Sequence, residues 1–365
     1  MSRKIKILHF ELSDNVGGIE SFLLNLYTAI DRDRYQFDFV TTSDHPALGK
    51  QLEALGGHIY QVAPYKQAFS YSRDIRKVMA GGYDIVHIHK NSAANVIPFK
   101  AASEFPSIKV IAHSHNTLPN GGKILSLLHR INKQYLWKNS DVHLACSTVA
   151  GEWMYGREKK FEVIPNGIDT QKFAYSDSEY IETRKSLGIA ESTFVVGHIG
   201  RFTEQKNHVG LIRIFDQIYN LHPDSVLLLV GDGQLKQEIE ESANSLDCRK
   251  AIRFLGIRDD VNKLLKCMDV FLMPSIYEGL PVVCIEAQAA GAYVWLSDTI
   301  SREVELTHQV EWFNLEDKNI AKRIINKGRP TSSHRLLCNQ EIVRKGYDYK
   351  SLAEKIDEIY QRLLS

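Results

Sequence analysis

Short apolar runs recur along the chain, and each is followed by a longer stretch in which apolar positions return every three or four residues. This alternation of buried strand and amphipathic helix is the grammar of parallel sheets built from βαβ units. In the first half it predicts strands at Ile5–Phe10, Phe37–Thr41, Ile85–His89, Lys109–His113 and Val142–Cys146. The second half repeats the theme at Phe194–Gly200, Val226–Gly231, Arg253–Leu255, Val270–Met273 and Tyr293–Leu296. Between the halves, Thr170–Leu187 is polar and strand-poor, follows the turn signal Pro165-Asn166-Gly167, and reads as a linker. The expected architecture is α/β: two Rossmann-like doubly wound domains, residues 1–170 and 171–348, facing a central cleft. A helix over Tyr349–Leu363, with Leu352, Ile356, Ile359, Tyr360 and Leu363 on one stripe, needs a packing partner. Ligands of open α/β sheets gather beyond the carboxyl ends of the strands, so chemistry is expected on the loops that follow them.

Composition narrows the function classes. The 365 residues are 44% hydrophobic and 24% charged, as in an ordinary globular chain long enough for two cores. With 45 Lys+Arg against 44 Asp+Glu there is no global basic field to hold a nucleic-acid backbone. The cysteines Cys146, Cys248, Cys267, Cys284 and Cys338 are scattered and never in a CxxC pair. That speaks against a disulfide framework or structural zinc and fits a reducing cytoplasm. The apolar stretch after Arg3-Lys4 is broken by Lys6, His9 and Glu11 and reads as a strand rather than a signal sequence. Nowhere do about 18 apolar residues run together, so no bilayer span is expected.

Three segments carry candidate chemistry. Asp14-Asn15-Val16-Gly17-Gly18-Ile19-Glu20 closes the first strand; paired glycines at a strand-to-helix turn admit close approach of a ligand, and a helix N-terminus offers N–H groups to an anion. The full GxGxxG fingerprint is missing both here and at Gly231-Asp232-Gly233, which removes the main support for a nicotinamide enzyme. Gly200-Arg201-Phe202-Thr203-Glu204-Gln205-Lys206-Asn207 places two cations on one loop after a strand, where a guanidinium fork and an ammonium can converge on a diphosphate. In Met273-Pro274-Ser275-Ile276-Tyr277-Glu278-Gly279-Leu280-Pro281, followed by Val282 to Ala287, a helix is expected to open at Pro281, which suits a first helical position. Its free N–H groups around Leu280–Val283 would complement Arg201 and Lys206. Glu278 before it and Glu286 within it can accept hydroxyl protons at two places on one extended ligand, as at a ribose and a hexose.

The pair Glu278 and Glu286, with Gly279-Leu280-Pro281 after the first, resembles the paired-glutamate motif of the retaining nucleotide-sugar glycosyltransferases of the GT-B fold, family 4, of the bacterial exopolysaccharide and capsule type. Further matches run along nearly the whole chain: Gly17-Gly18-Ile19-Glu20, His113-Ser114-His115-Asn116, Ile164-Pro165-Asn166-Gly167-Ile168-Asp169, Gly200-Arg201 with Lys206-Asn207, Gly231-Asp232-Gly233, Phe254-Leu255-Gly256, and Glu286-Ala287 with Ala290-Gly291. The resemblance implies that Arg201 and Lys206 clamp the donor diphosphate, that Glu286 binds the ribose and that Glu278 touches the donor sugar. It implies backbone donors at Gly279 and Leu280 near the distal phosphate, and a turn at Gly17 and Gly18 closing over the donor. His115 resembles the histidine beside the transferred sugar; His113, one strand alternation away, is the other candidate. Arg253 and Ile257 fall where relatives contact the base through the backbone. Asn166 matches a turn at the domain junction. The resemblance also has the last helix, within residues 349–365, crossing back onto the first, acceptor-side domain, and makes the second domain the donor side.

The expected reaction is transfer of a hexosyl group from a nucleoside diphosphate sugar, UDP-sugar favoured, to a hydroxyl of a saccharide or lipid-linked saccharide. Retention comes from the resemblance. Two cations and a helix N-terminus around the distal phosphate would stabilise leaving-group charge without a divalent metal or any cofactor. No DxD triplet of the metal-dependent kind stands near the cation loop. The stretch Lys123–Lys138 aligns Ile124, Leu127, Leu128, Ile131 and Tyr135 on one helical face with Arg130 and Lys133 on another. It carries no acidic residue, as in a helix lying on an anionic membrane at the inner face; an ordinary packed helix has the same stripe. The competing readings are a sugar-nucleotide epimerase on the same fold and a non-catalytic nucleotide-sugar binding partner.

Overall fold

The β-branched and aromatic runs of the first half become parallel strands in the computed structural model, which describes residues 3–116 and 122–365. Among the described residues, β1 (Ile5–Leu12), β2 (Tyr35–Thr41), β3 (His58–Gln61), β4 (Ile85–Lys90), β5 (Lys109–Ser114), β6 (Val142–Ala145) and β7 (Glu162–Val163) form one sheet in the order β3-β2-β1-β4-β5-β6-β7. The order reverses between β1 and β4, which leaves a crevice at their carboxyl ends. Glu11 is the extra residue of a bulge in β1, in a left-handed conformation at φ 82°. Its carboxylate pairs with the buried Lys90 at the end of β4 and accepts from Tyr65 Oη at 3.2 Å.

The second half forms a further sheet: β8 (Phe194–Ile199), β9 (Ser225–Val230), β10 (Ile252–Gly256), β11 (Val270–Met273), β12 (Tyr293–Ser297) and β13 (Val310–Phe313), ordered β10-β9-β8-β11-β12-β13. All these strands are parallel, and the order reverses between β8 and β11. The predicted α/β class and two doubly wound domains are what the chain adopts. The strands β3, β7 and β13 escaped the pattern because they are short and their runs mix polar with apolar residues.

The chain divides into two compact units, 1–167 with 346–365, and 168–345. The stretch Thr170–Leu187, expected as a linker, is instead two helices of the second unit, Thr170–Phe173 and Asp177–Ser186. Asp169 and Ser176 cap them, and Arg184 is fully buried, reaching Thr193 O at 2.8 Å and Asp269 Oδ2 at 2.7 Å. The helix Tyr349–Leu364 places Leu352, Ile356, Ile359 and Tyr360 in the core of the first unit, beside Phe22, Leu26, Ile85 and Ile111. It crosses so closely that a Cβ at Gly167 would lie 2.9 Å from Leu352 Cβ and Tyr349 Cα, so the Asn166-Gly167 turn answers a packing demand.

Candidate active site

In the second unit, the switch point between β8 and β11 carries two loops that the sequence singled out. The loop after β8 runs from Gly200 to Asn207, whose left-handed backbone (φ 52°) lets its side chain cap the helix His208–Leu221 through Gly210 N at 3.1 Å. The same side chain donates to Pro274 O at 3.0 Å, in the loop after β11. Ile276 N donates to Gln205 O at 2.8 Å, and Gln205 Nε2 to Tyr277 O at 3.1 Å. Three hydrogen bonds therefore fasten the cation loop to the glutamate loop. Across the join, Lys206 Nζ lies 2.7 Å from Glu278 Oε1, an ion pair between two part-buried groups rather than an aligned hydrogen bond.

The cation loop is also fixed from below. A Cβ at Gly231, where φ is 132°, would fall 2.1 Å from Gly200 O, and one at Gly233 would fall 2.5 Å from Phe202 O. Gly231 and Gly233 thus serve backbone-to-backbone packing under the loop. Arg201 is exposed, with no ion-pair partner among the described residues.

The helix behind the glutamate loop is Val282–Ala289. It starts one residue later than expected: Pro281 is its N-cap, because its ψ of 111° is extended while its φ of −70° suits the entry. The N–H groups of Val282 and Val283 precede the first intrahelical bonds and remain free for an anion. Gly279 and Leu280 lie part-buried just before them. Glu286, on this helix, is part-buried, and its carboxyl has no hydrogen-bond partner among the described residues; burial pushes that carboxyl up to about 7, and the Lys172 ammonium draws it partly back. A carboxylate held this way gains most from a ligand that donates hydroxyl protons to it.

The two base-contact candidates behave differently. The Arg253 guanidinium is engaged by Leu187 O, at the end of the helix Asp177–Ser186, and Ile257 is 81% exposed. The Arg253 side chain is therefore committed within the unit, and its backbone lies in β10, in register with Leu228 of β9.

In the first unit, Gly17 caps the helix Gly18–Ala29. The buried Glu20 holds this turn, accepting from Gly17 N at 3.0 Å, Ser13 N at 3.0 Å and Ser13 Oγ at 2.8 Å. Gly18 faces Asn166, whose Nδ2 a Cβ there would meet at 3.5 Å.

Nearby, five histidines cluster, two of them His113 and His115. His9, His87, His89 and His113 are buried, and His115 is part-buried at the carboxyl end of β5. Registers His9↔His87 and His89↔His113 put them on neighbouring strands. The signal was present as histidines at i and i+2 in β4 and across the end of β5, which period-two alternation sends to one face. His113 is hydrogen-bonded inward to His87 at 3.2 Å, whereas His115 lies at the rim and reaches His89 at 2.9 Å.

The basic helix Lys123–Lys138 departs from an ordinary packed helix. His129 and Leu136 are its buried residues and Tyr135 packs on the core, while Ile124, Leu127, Leu128 and Ile131 are exposed, Ile124 by 77% and Ile131 by 63%. Among the described residues, no helix is long and apolar enough to cross a membrane.

Comparison with known proteins places the chain. The family model described as "Glycosyltransferase Family 4" matches residues 16–172, and that described as "Glycosyl transferases group 1" matches residues 179–327. EpsF of Bacillus subtilis (strain 168), a protein named as a glycosyltransferase, is 33% identical over 317 residues, covering 83% of this chain and 82% of its own. An Escherichia coli protein named UDP-Gal:alpha-D-GlcNAc-diphosphoundecaprenol alpha-1,3-galactosyltransferase is 26% identical over 98% of this chain and 97% of its own. The structure of HepE from Anabaena in complex with UDP superposes with a TM-score of 0.81 at 22% identity, over 98% of this chain and 100% of that one. The two doubly wound units are those of the GT-B fold. The chain belongs to the glycosyltransferase family that EpsF represents.

Proposed function

We propose that the protein transfers a hexosyl unit from a UDP-sugar to a hydroxyl of a lipid-linked saccharide in surface-polysaccharide synthesis, with retention and without a divalent metal. The observation that carries the donor reading is the fastened pair of loops at the β8/β11 switch point. It presents Lys206, Glu278 and the free N–H groups of the helix Val282–Ala289 as one unit, with Glu286 beside them. The UDP named in the HepE structure and the UDP-galactose named for the E. coli relative favour uridine as the base.

In this reading Lys206 exchanges part of its ion pair with Glu278 for the distal phosphate, and Arg201 adds its fork from the exposed side. The helix N–H groups meet the charge that grows as the sugar–phosphate bond breaks; removing one such donor typically costs about 3–4 kcal/mol. Glu286 accepts from the ribose hydroxyls, freed Glu278 accepts from the donor sugar, and His115 stands beside the transferred ring. Gly17 and Gly18, at the strand-to-helix turn of the first unit, admit close backbone approach of a ligand. Retention follows a front-face attack by the acceptor hydroxyl, since no residue is assigned as a nucleophile beneath the anomeric carbon.

The acceptor reading rests on the helix Lys123–Lys138, whose exposed apolar face, basic flank and lack of acidic residues suit an anionic membrane surface. The test is to incubate the protein with UDP-, GDP- and TDP-hexoses and an undecaprenyl-diphosphate-linked sugar, and to identify products by mass and anomeric coupling. A glycosylated lipid formed from a UDP-sugar, with the donor's anomeric configuration and in chelator, is the expected result. Turnover of the donor alone would point to epimerisation.

A further inference from the structure

Three of the clustered histidines form a continuous hydrogen-bonded chain. His9 Nδ1 lies 3.1 Å from His89 Nε2, and His89 Nδ1 lies 2.9 Å from His115 Nε2. At the two ends, His9 Nε2 and His115 Nδ1 are buried and have no hydrogen-bond partner among the described residues. Phe37 packs on His9 with ring centroids 4.4 Å apart, and Phe22 meets His115 edge-on at 5.3 Å. Burial in this aromatic setting pushes His9 and His115 down to about 3 and His89 well below its usual value, so all three rings are neutral at ordinary pH.

Neutrality makes the chain binary. Each ring carries one N–H, and each of the two hydrogen bonds needs one proton. If His9 donates to His89, then His89 must donate to His115, and His115 is left with Nδ1–H as a donor at the end of the chain. If instead His115 donates to His89, then His89 donates to His9, and His115 Nδ1 is a bare acceptor. No other arrangement of three protons makes both bonds. Which nitrogen of an imidazole carries the proton is set by the bond its other nitrogen makes.

We propose that His9 and His89 are positioning residues for His115: through these two bonds they fix whether its Nδ1 meets the bound sugar as donor or acceptor. A sugar hydroxyl settling on Nδ1 selects one arrangement, and the choice is registered at His9, on β1, two rings away. This rests on His115 being the residue beside the transferred sugar. The assignment of His9 and His89 is additional to it, and the geometry of the chain stands without the ligand.

The test combines imidazole nitrogen spectra with kinetics. In 15N-histidine-labelled protein, nitrogen shifts of His9, His89 and His115 should report neutral rings with matched tautomers, and adding a UDP-sugar should move His9 and His115 together. Mismatched tautomers, or a His115 that responds while His9 does not, would overturn the proposal. Should no UDP-sugar bind, the reading of the site fails, yet the tautomer pattern of the free protein still decides the chain. His9→Phe keeps ring volume beside Phe37 and Phe39 but removes Nδ1; His9→Asn puts an amide back near it. The expected result for His9→Phe is an altered His115 spectrum and kcat lowered about tenfold with the donor KM within about twofold. His9→Asn should recover most of the loss, and His9→Phe should have no further effect when His115 is already Ala. Unchanged kcat and spectrum in a folded His9→Phe protein, or the same loss with and without His115, would show that His9 does not act through it. The wild-type spectra decide the question if His9→Phe does not fold.

Discussion

Lys206 and Glu278 stand 2.7 Å apart on two loops that are joined by three backbone-accepting hydrogen bonds. A part-buried cation of this kind needs a counter-charge, and Glu278 supplies it. Both side chains of the pair are ones proposed to contact the donor.

Lys206→Ala is expected to remove nucleotide recognition. At 100 times its dissociation constant a ligand adds about 2.7 kcal/mol of stability, so UDP should raise the melting temperature of the wild type by several degrees. The variant should show no such rise, and kcat should fall by about 10²–10³. A retained UDP shift, measured by differential scanning fluorimetry, would remove Lys206 from the diphosphate site.

Glu286 predicts a pH dependence. Burial raises its carboxyl to about 7, and ribose hydroxyls are best accepted by the ionised form, so UDP binding should strengthen as pH rises from 6 to 8. The same shift acts oppositely on the ligand-free fold. Here the folded state holds the proton more tightly than the unfolded one, so this group's stability contribution is present at low pH and declines as pH rises through about 7. In Glu286→Gln both trends should flatten and UDP affinity should drop; calorimetric titration at several pH values checks this, with the phosphate's own ionisation common to both proteins.

Membrane contact should localise to one helix. Leu127→Glu with Ile131→Glu places carboxylates on the exposed stripe of Lys123–Lys138, so co-sedimentation with phosphatidylglycerol vesicles should fall sharply. Stability should change by only about 0.5 kcal/mol per site, because neither side chain is in the core. Wild-type binding should weaken in high salt, where the attraction of Lys123 and Arg130 for the surface is screened. Equal sedimentation of both proteins would refute the assignment.

Gly231→Ala is a stability prediction. Its Cβ would stand 2.1 Å from Gly200 O, and φ is 132°, so the loop beneath Lys206 must move or the substitution must strain the chain. The expected loss is about 3 kcal/mol or more in urea unfolding, with weakened UDP binding in whatever remains folded.

Strand pattern and turn chemistry made much of this molecule readable. The alternation of apolar runs and helical stripes located the longer strands of both sheets, since parallel strands buried on both faces read as continuous apolar segments. β3 and β7 did not register because His58–Gln61 and Glu162–Val163 are short and largely exposed, with no apolar run to read. The supposed linker failed for another reason. Its longer helix, Asp177–Ser186, is tied down by the buried Arg184 and its backbone carbonyl and Asp269 partners, and a polar segment looks like a linker until its contacts are known. Among candidate site residues, Lys206 and Glu278 were legible from their loops, but their mutual contact was not, because it depends on how the chain brings residues 206 and 278 together. The histidine cluster was written in alternating positions of β4 and across the end of β5, yet its completion by His9 needed the strand order.

The helix Tyr349–Leu364 has a consequence for how the protein is made. It supplies Leu352, Ile356 and Tyr360 to the same core as Ile7 and Phe22, so the first unit is discontinuous in the chain and the second is an insert within it. During translation the insert is fully synthesised before the residues that finish the core of the unit begun first. Residues 1–167 are therefore made without the helix that covers part of their apolar surface, and it arrives only after residues 168–345 have been synthesised.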